Sequence, residues 1–123
     1  MNFLTCARGF VLARVVWEFA VGLALAHSGL QRAEPPIESK LNRPPNEVKL
    51  YFSEPLEQDY STVRVKDAGG AQVDRQDAHV DPSNPLLLRV TLQPLERGIY
   101  TVIWRVLSVD SHVTEGRFTF RVE

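Results

Sequence analysis

The sequence predicts an all-β protein, an immunoglobulin-like Greek-key sandwich or barrel of about seven strands, preceded by a signal peptide. Three observations support this fold class. Apolar residues alternate with polar ones in most of the chain after residue 26, as in half-buried antiparallel strands. Clusters of Pro, Gly and Asn separate the alternating runs, and no stretch after residue 26 keeps a 3.6-residue apolar period.

The N-terminal residues are typical of an export signal. Arg8 and Arg14 precede an apolar stretch of 12 residues, 15–26, which is interrupted only by Glu18 and ends in Ala-Leu-Ala. This small-x-small ending is what signal peptidase cleaves, whereas a membrane span needs about 20 apolar residues. We expect residues 1–26 to be removed after Ala26. An uncut amphipathic helix is the alternative.

Cleavage after Ala26 leaves one domain, residues 27–123. The single Cys and the single Met of the chain, Cys6 and Met1, are both lost with the signal. The remaining domain has no disulfide, so its apolar core alone must stabilise it.

Turn- and loop-forming residues separate the predicted strands. The alternating runs are 47–53, 63–66, 86–92, 100–106 and 117–123. Pro35-Pro36 and Pro44-Pro45 interrupt the segment before the first run, Ala68-Gly69-Gly70 predicts a hairpin turn, and residues 81–85 and 93–98 predict loops. Trp104, on the longest run, is expected to fill the core between the sheets.

Composition and motifs disfavour most other functions. A net charge of −1 gives no reason to expect nucleic acid as a partner. The sequence has no Gly-rich phosphate loop, no Cys nucleophile after residue 26 and no zinc-type spacing of Cys and His, and we therefore expect no enzymatic activity.

Histidines remain as candidates for chemistry. After cleavage His27 is the first residue, so its α-amine and its imidazole Nδ1 can close a six-membered chelate on one metal ion; a frayed terminus is the alternative. His79 falls in a polar stretch and is expected to be a solvated loop residue.

Asp110 and His112 form a second candidate element. On an extended strand residues i and i+2 point from the same face, so a carboxylate and an imidazole would converge. Residues 108–111 are equally typical of a turn with local side-chain hydrogen bonds. Together with His27 this pair offers three nitrogens and one oxygen, a tetragonal set that suits Cu(II).

Several segments resemble the CopC family of periplasmic copper-resistance and copper-binding proteins. They are the Ala-His pair at residues 26–27, the run VKLYFSEP at residues 48–55, the run GIYTVIWRVLSVDSH at residues 98–112 and the run GRFTF at residues 116–120. The resemblance covers residues 27–123, and residues 98–120 are its specific part.

The resemblance implies a periplasmic protein that binds one Cu(II). It implies that His27, through its amine and ring, Asp110 and His112 are the metal ligands, with Glu54 near the copper. It also implies a CopD-type inner-membrane copper transporter as a possible partner.

Two departures and two alternatives accompany the resemblance. Ser111 stands where the family often has Gly or Thr, and residues 67–85 contain no Met, which members with a Cu(I) site carry; we therefore expect a Cu(II)-only protein.

The alternatives are a copper-dependent oxidative enzyme with a histidine-brace-like site, and a metal-free immunoglobulin-like interaction module.

Overall fold

Two four-stranded β-sheets pack face to face in a computed structural model that describes residues 29–123. The predicted signal peptide, residues 1–26, and His27 lie outside the described residues. The strands are β1 (Leu30–Glu34), β2 (Lys40–Leu41), β3 (Glu47–Phe52), β4 (Thr62–Lys66), β5 (His79–Asp81), β6 (Asn84–Thr91), β7 (Gly98–Leu107) and β8 (Val113–Val122).

The strand order explains why distant parts of the chain meet. One sheet has the order β1-β3-β6-β5 and the other β2-β8-β7-β4, and every pair is antiparallel except β2 with β8. β3 and β6 are neighbours although β4 and β5 intervene in the chain, because the chain crosses to the other sheet and returns. The all-β sandwich prediction is confirmed.

The core follows directly from the alternation in the sequence. In β3 the even-numbered residues Val48, Leu50 and Phe52 are buried between the sheets. In β7 the buried residues are also even-numbered, from Tyr100 to Val106. Fully burying one large apolar side chain stabilises a fold by about 1.5–3 kcal/mol, so two such inner faces hold the sandwich together without a disulfide.

The predicted elements and the observed ones differ mainly at the edges of the sheets. The strongly alternating runs all form strands, and the only helical turn among residues 29–123 is a short 3₁₀ turn at Gln58–Tyr60. The alternation did not single out β1, β2 or β5, which are short and defined by backbone pairing more than by buried side chains. The prediction of a loop at His79 was wrong, because His79 begins β5.

Trp104 lies where the sequence predicted, in the core beneath the end of the sandwich that carries Glu54. Its exposed fraction is 3%, and its ring makes an edge-on contact with Phe52 at a centroid distance of 5.2 Å. Gly116 is the cross-strand partner of Trp104, and a Cβ at this glycine would lie 2.7 Å from Cζ2 of the indole. The indole therefore occupies the space that any side chain at position 116 would need.

Replacement of Gly116 by Ala should lower the free energy of unfolding by about 1–3 kcal/mol, the usual cost of overpacking a core. Urea denaturation measures this change. The matched control is Gly69→Ala, because a Cβ there would lie at an ordinary contact distance of 3.5 Å from an Asp67 carboxylate oxygen. Equal effects of the two substitutions would contradict the packing described for Trp104.

Candidate metal centre

Three metal-ligating side chains converge at one end of the sandwich. Nδ1 of His112 lies 3.3 Å from Oδ2 of Asp110 and 3.6 Å from Oε2 of Glu54. One ligand atom from each of these residues lies within 4.8 Å of the others. Asp110 and His112 come from the turn between β7 and β8, and Glu54 comes from the segment that follows β3.

The Asp110–His112 element is a turn, not a strand. The backbone N–H of His112 donates to the Ser108 hydroxyl at 3.1 Å, and the Ser108 N–H donates to the carbonyl of His112 at 2.9 Å. The Ser108 hydroxyl also donates a short hydrogen bond to the Asp110 carboxylate. The extended arrangement is thus wrong for these residues, yet the turn brings the carboxylate and the imidazole together just as well.

Ser111 completes this turn in an unusual conformation. Its φ is +73°, in the left-handed region that non-glycine residues rarely adopt and where Gly is most readily accommodated. The Ser111 N–H donates to the carbonyl of Ser108 at 2.9 Å, which closes the turn. The serine therefore strains the backbone at the middle position of the Asp-x-His element.

Glu54 reaches the turn because its segment bridges the two sheets. The N–H of Val109 donates to the Pro55 carbonyl at 2.9 Å, and Leu56 forms an isolated β-bridge with Ser108. Leu56 is buried, so the segment is anchored in the core on one side and hydrogen-bonded to the turn on the other. The Glu54 carboxylate is thereby fixed beside the Asp110–His112 turn.

The first described residue of the chain lies at the same place. The carbonyl of Gly29 accepts a hydrogen bond of 2.9 Å from the N–H of Ser53. Gly29, Glu54 and His112 all line one cavity of about 440 Å³. Gly29 has a φ of +89°, so its left-handed backbone conformation favours glycine at this position. His27 precedes this anchored glycine by two residues.

The neighbours of the Asp110 carboxyl favour its ionised form. The Ser108 hydroxyl, and after it a hydrogen bond with Glu54 and the charge of His112, hold the pKa of the Asp110 carboxyl below its ordinary value. Asp110 is therefore ionised at neutral pH and presents a carboxylate oxygen to a cation.

The donor set fits a small divalent transition-metal ion. Ligand atoms bound at about 2.0–2.2 Å to one ion lie roughly 3–4 Å apart, which the observed 3.3 and 3.6 Å separations match. The His112 and Asp110 side chains are 70% and 50% exposed, so an ion held here would exchange with solvent or with another protein. The cluster lacks a thiolate or thioether, which Cu(I) prefers.

Comparison with known proteins identifies the family. The CopC domain model matches residues 30–123. The chain belongs to the CopC family. Proteins of this family bind copper and serve copper resistance or transport, and they are not enzymes. Membership in the CopC family confirms the resemblance drawn from the sequence.

Solved CopC-type structures share the fold. The crystal structure of CopC from Methylosinus trichosporium OB3b is 33% identical, with a TM-score of 0.71 over 76% of this chain and 91% of that one. PcoC, a methionine rich copper resistance protein from Escherichia coli, is 29% identical, with a TM-score of 0.64 over 76% of this chain and 96% of that one.

A longer relative contains a region similar to this CopC-family chain. The copper transport protein CutJ from Bacillus subtilis (strain 168) is 24% identical over 116 residues, which are 94% of this chain. The match spans only 21% of the length of CutJ. In residues 29–123 of the present chain, no helix is long and apolar enough to cross a membrane.

The structure brings together some of the predicted site residues and adds others. Asp110 and His112 meet, and Glu54 joins them. The His79 ring instead lies 2.8 Å, through Nδ1, from the carbonyl of Asp77, and it is not part of this cluster. The turn with local side-chain hydrogen bonds that residues 108–111 predicted is present, and the Ser108 hydroxyl contacts both the Asp110 carboxylate and the N–H of His112.

The strain at Ser111 predicts opposite effects for two substitutions. Ser111→Gly should raise the free energy of unfolding by up to about 1 kcal/mol, because relief of the left-handed backbone outweighs the added flexibility of the unfolded chain. Ser111→Val should lower it, since a β-branched residue tolerates this region least. Chemical denaturation of the two variants tests this, and a more stable Val variant would contradict the turn geometry.

Proposed function

We propose that this CopC-family protein binds one Cu(II) ion outside the cytoplasm, through the amine and ring of an N-terminal His27 together with Asp110 and His112. The observation that supports this most strongly is the position of Gly29. Its carbonyl is hydrogen-bonded to Ser53, in the wall of the cavity that Glu54 and His112 also line. Two residues span at most about 7 Å, so a ligand two positions before Gly29 is within reach of this cluster.

The donor chemistry supports Cu(II) as the ion. The α-amine and ring of His27, the ring of His112 and the carboxylate of Asp110 would supply three nitrogens and one oxygen, the set that tetragonal Cu(II) favours. Glu54 adds a second negative charge beside the ion, as an outer group or a weak ligand. The only methionine of the chain is Met1, in contrast to the relative described as methionine rich, so nothing favours an additional Cu(I) site.

The α-amine of His27 can bind an ion only after the preceding segment has been cleaved off. We propose that residues 1–26 are a signal peptide removed after Ala26 on export to the periplasm, because the apolar stretch ends in a small-x-small pattern immediately before His27. A protein that kept this segment would have a peptide nitrogen where the amine is needed, and the chelate could not form.

The exposure of the ligands suggests transfer and not permanent storage. Half or more of each of the His112 and Asp110 side chains is accessible, so a second protein can approach the ion directly. A CopC-type region is also part of the much longer copper transport protein CutJ. We propose that copper is handed to a membrane partner of the CopD type.

His112→Ala should weaken Cu(II) binding by orders of magnitude, because it removes an imidazole ligand from a four-donor site. His79→Ala is the matched control, since it removes an imidazole from β5 outside the cluster and should leave the affinity unchanged. Competition with a calibrated Cu(II) chelator at neutral pH measures both. Equal losses in the two variants would refute the assignment of His112.

Extension of the mature protein by one Ala before His27 should abolish most of the Cu(II) affinity. The added residue converts the His27 amine into an amide and moves the free amine out of position. The matched control is the same Ala added after Glu123, which leaves the N-terminus intact. Unchanged affinity of the N-terminally extended protein would show that the amine is not a ligand, while leaving Asp110 and His112 as candidates.

A further inference from the structure

The outer face of the β1-β3-β6-β5 sheet is electrically neutral and internally paired. Its charged strand residues form one continuous series of ion pairs. In order across the sheet, the series runs Arg32, Glu34, Lys49, Glu47, Arg89 and Asp81. The charges on this face satisfy one another, so it offers no net field to a charged partner.

The outer face of the other sheet is strongly cationic. Its outward-pointing strand residues include six cations and one carboxylate, Glu115. The six cations, here called the basic face, are Lys40, Arg64, Lys66, Arg105, Arg117 and Arg121. Arg105 and Glu115 approach to 3.8 Å, and both side chains are about two-thirds or more exposed. Within residues 29–123 the other five cations form no ion pair.

Strand register arranges the central arginines around a groove. Arg64 and Arg117 both pair with Ile103, one from each side, so the two arginines stand about 10 Å apart across the middle of the sheet. A groove of about 680 Å³ lies here, and Arg105 with its ion-pair partner Glu115 also lines it. Its other lining residues are Thr62, Ile103, Trp104 and Gly116. Three of the six cations, Arg64, Arg105 and Arg117, therefore line one groove.

The electrostatic energy of these clustered cations is unfavourable in the free protein and becomes favourable when an anion binds to them. Like charges on neighbouring strands repel one another, and this repulsion is relieved when carboxylates bind between them. One arginine guanidinium can form two parallel hydrogen bonds to a carboxylate. Arginine is also enriched at protein interfaces, whereas lysine is depleted. A groove accepts side chains that protrude, whereas a planar lipid surface would contact only its rim.

We propose that the basic face docks an acidic segment of a partner protein, with Asp or Glu side chains entering the groove between Arg64, Arg105 and Arg117. The Arg105–Glu115 pair is two residues from Leu107–Val113, the last pair before the turn that carries Asp110 and His112. The Arg105–Glu115 pair therefore lies about 7 Å along the strands from the pair at which this turn begins. The proposal stands independently of copper binding.

The test uses the protein as the cell exports it, freed of metal with a chelator, and a fluorescein-labelled peptide of alternating Asp and Glu residues. Fluorescence anisotropy should show binding at low ionic strength that weakens as salt is added. Arg64→Gln combined with Arg117→Gln should reduce the affinity by about tenfold. Both side chains are exposed, so the urea midpoint of this double variant should remain that of the wild-type protein.

The matched control removes two cations from the opposite face, Arg32→Gln combined with Lys49→Gln, and should leave the affinity unchanged. Equal losses in the two double variants would show that net charge, and not the groove, attracts the peptide, and would overturn the proposal. Absence of peptide binding at low salt would also overturn it. Binding to phosphatidylglycerol vesicles in place of the peptide would assign the face to a membrane surface.

Discussion

The register of the hairpin formed by β7 and β8 is the constraint on which the rest of the structure depends. Ten residue pairs, from Gly98 with Val122 to Leu107 with Val113, fix which side chains of both strands face the core. A slip of one residue would move every apolar residue to the solvent side. The same register determines where the turn begins, and therefore where Asp110 and His112 stand relative to Glu54.

This constraint explains how exposed side chains can be held in place for the proposed metal site. The proposed ligands Asp110 and His112 lie on a short turn, but Ser108 is buried, and backbone hydrogen bonds to Pro55 and within residues 108–112 close the turn. Hydrogen bonds and packing from the body of the sandwich thus position side chains that are themselves open to solvent. Such a site would release an ion without unfolding of the sandwich, which suits the proposed transfer of copper.

The sequence predicted what depends on side-chain periodicity and missed what depends on backbone pairing or on contacts between distant segments. The alternation at Val48, Leu50 and Phe52 was sufficient to place β3, and Trp104 lies in the core as predicted. The edge strand β5 has no comparable pattern, because its three residues are all half-buried. Buried Asp74, which accepts the N–H of Val65 at 2.8 Å, also had no local signal.

In the site too, local spacing was predictable and contacts between distant segments were not. A spacing of two residues suggested that Asp110 and His112 converge, and they do, although through a turn with Ser111 in the left-handed region. The approach of Glu54 and of Gly29 depends on how the segment after β3 crosses the end of the sandwich, which spacing alone cannot give. The basic face could not be predicted from the net charge of −1 either, because that value is the sum over a neutral sheet face, a cationic sheet face and acidic loops.

Electron paramagnetic resonance of Cu(II) tests the central claim most directly. One equivalent of Cu(II) would be added to protein that begins at His27 and, separately, to protein that begins at Gly29. We expect a tetragonal spectrum with hyperfine splitting from three nitrogens for the first protein and a different, nitrogen-poor spectrum for the second. Identical spectra from the two proteins would contradict this expectation, because the first residue would then contribute nothing to the copper site.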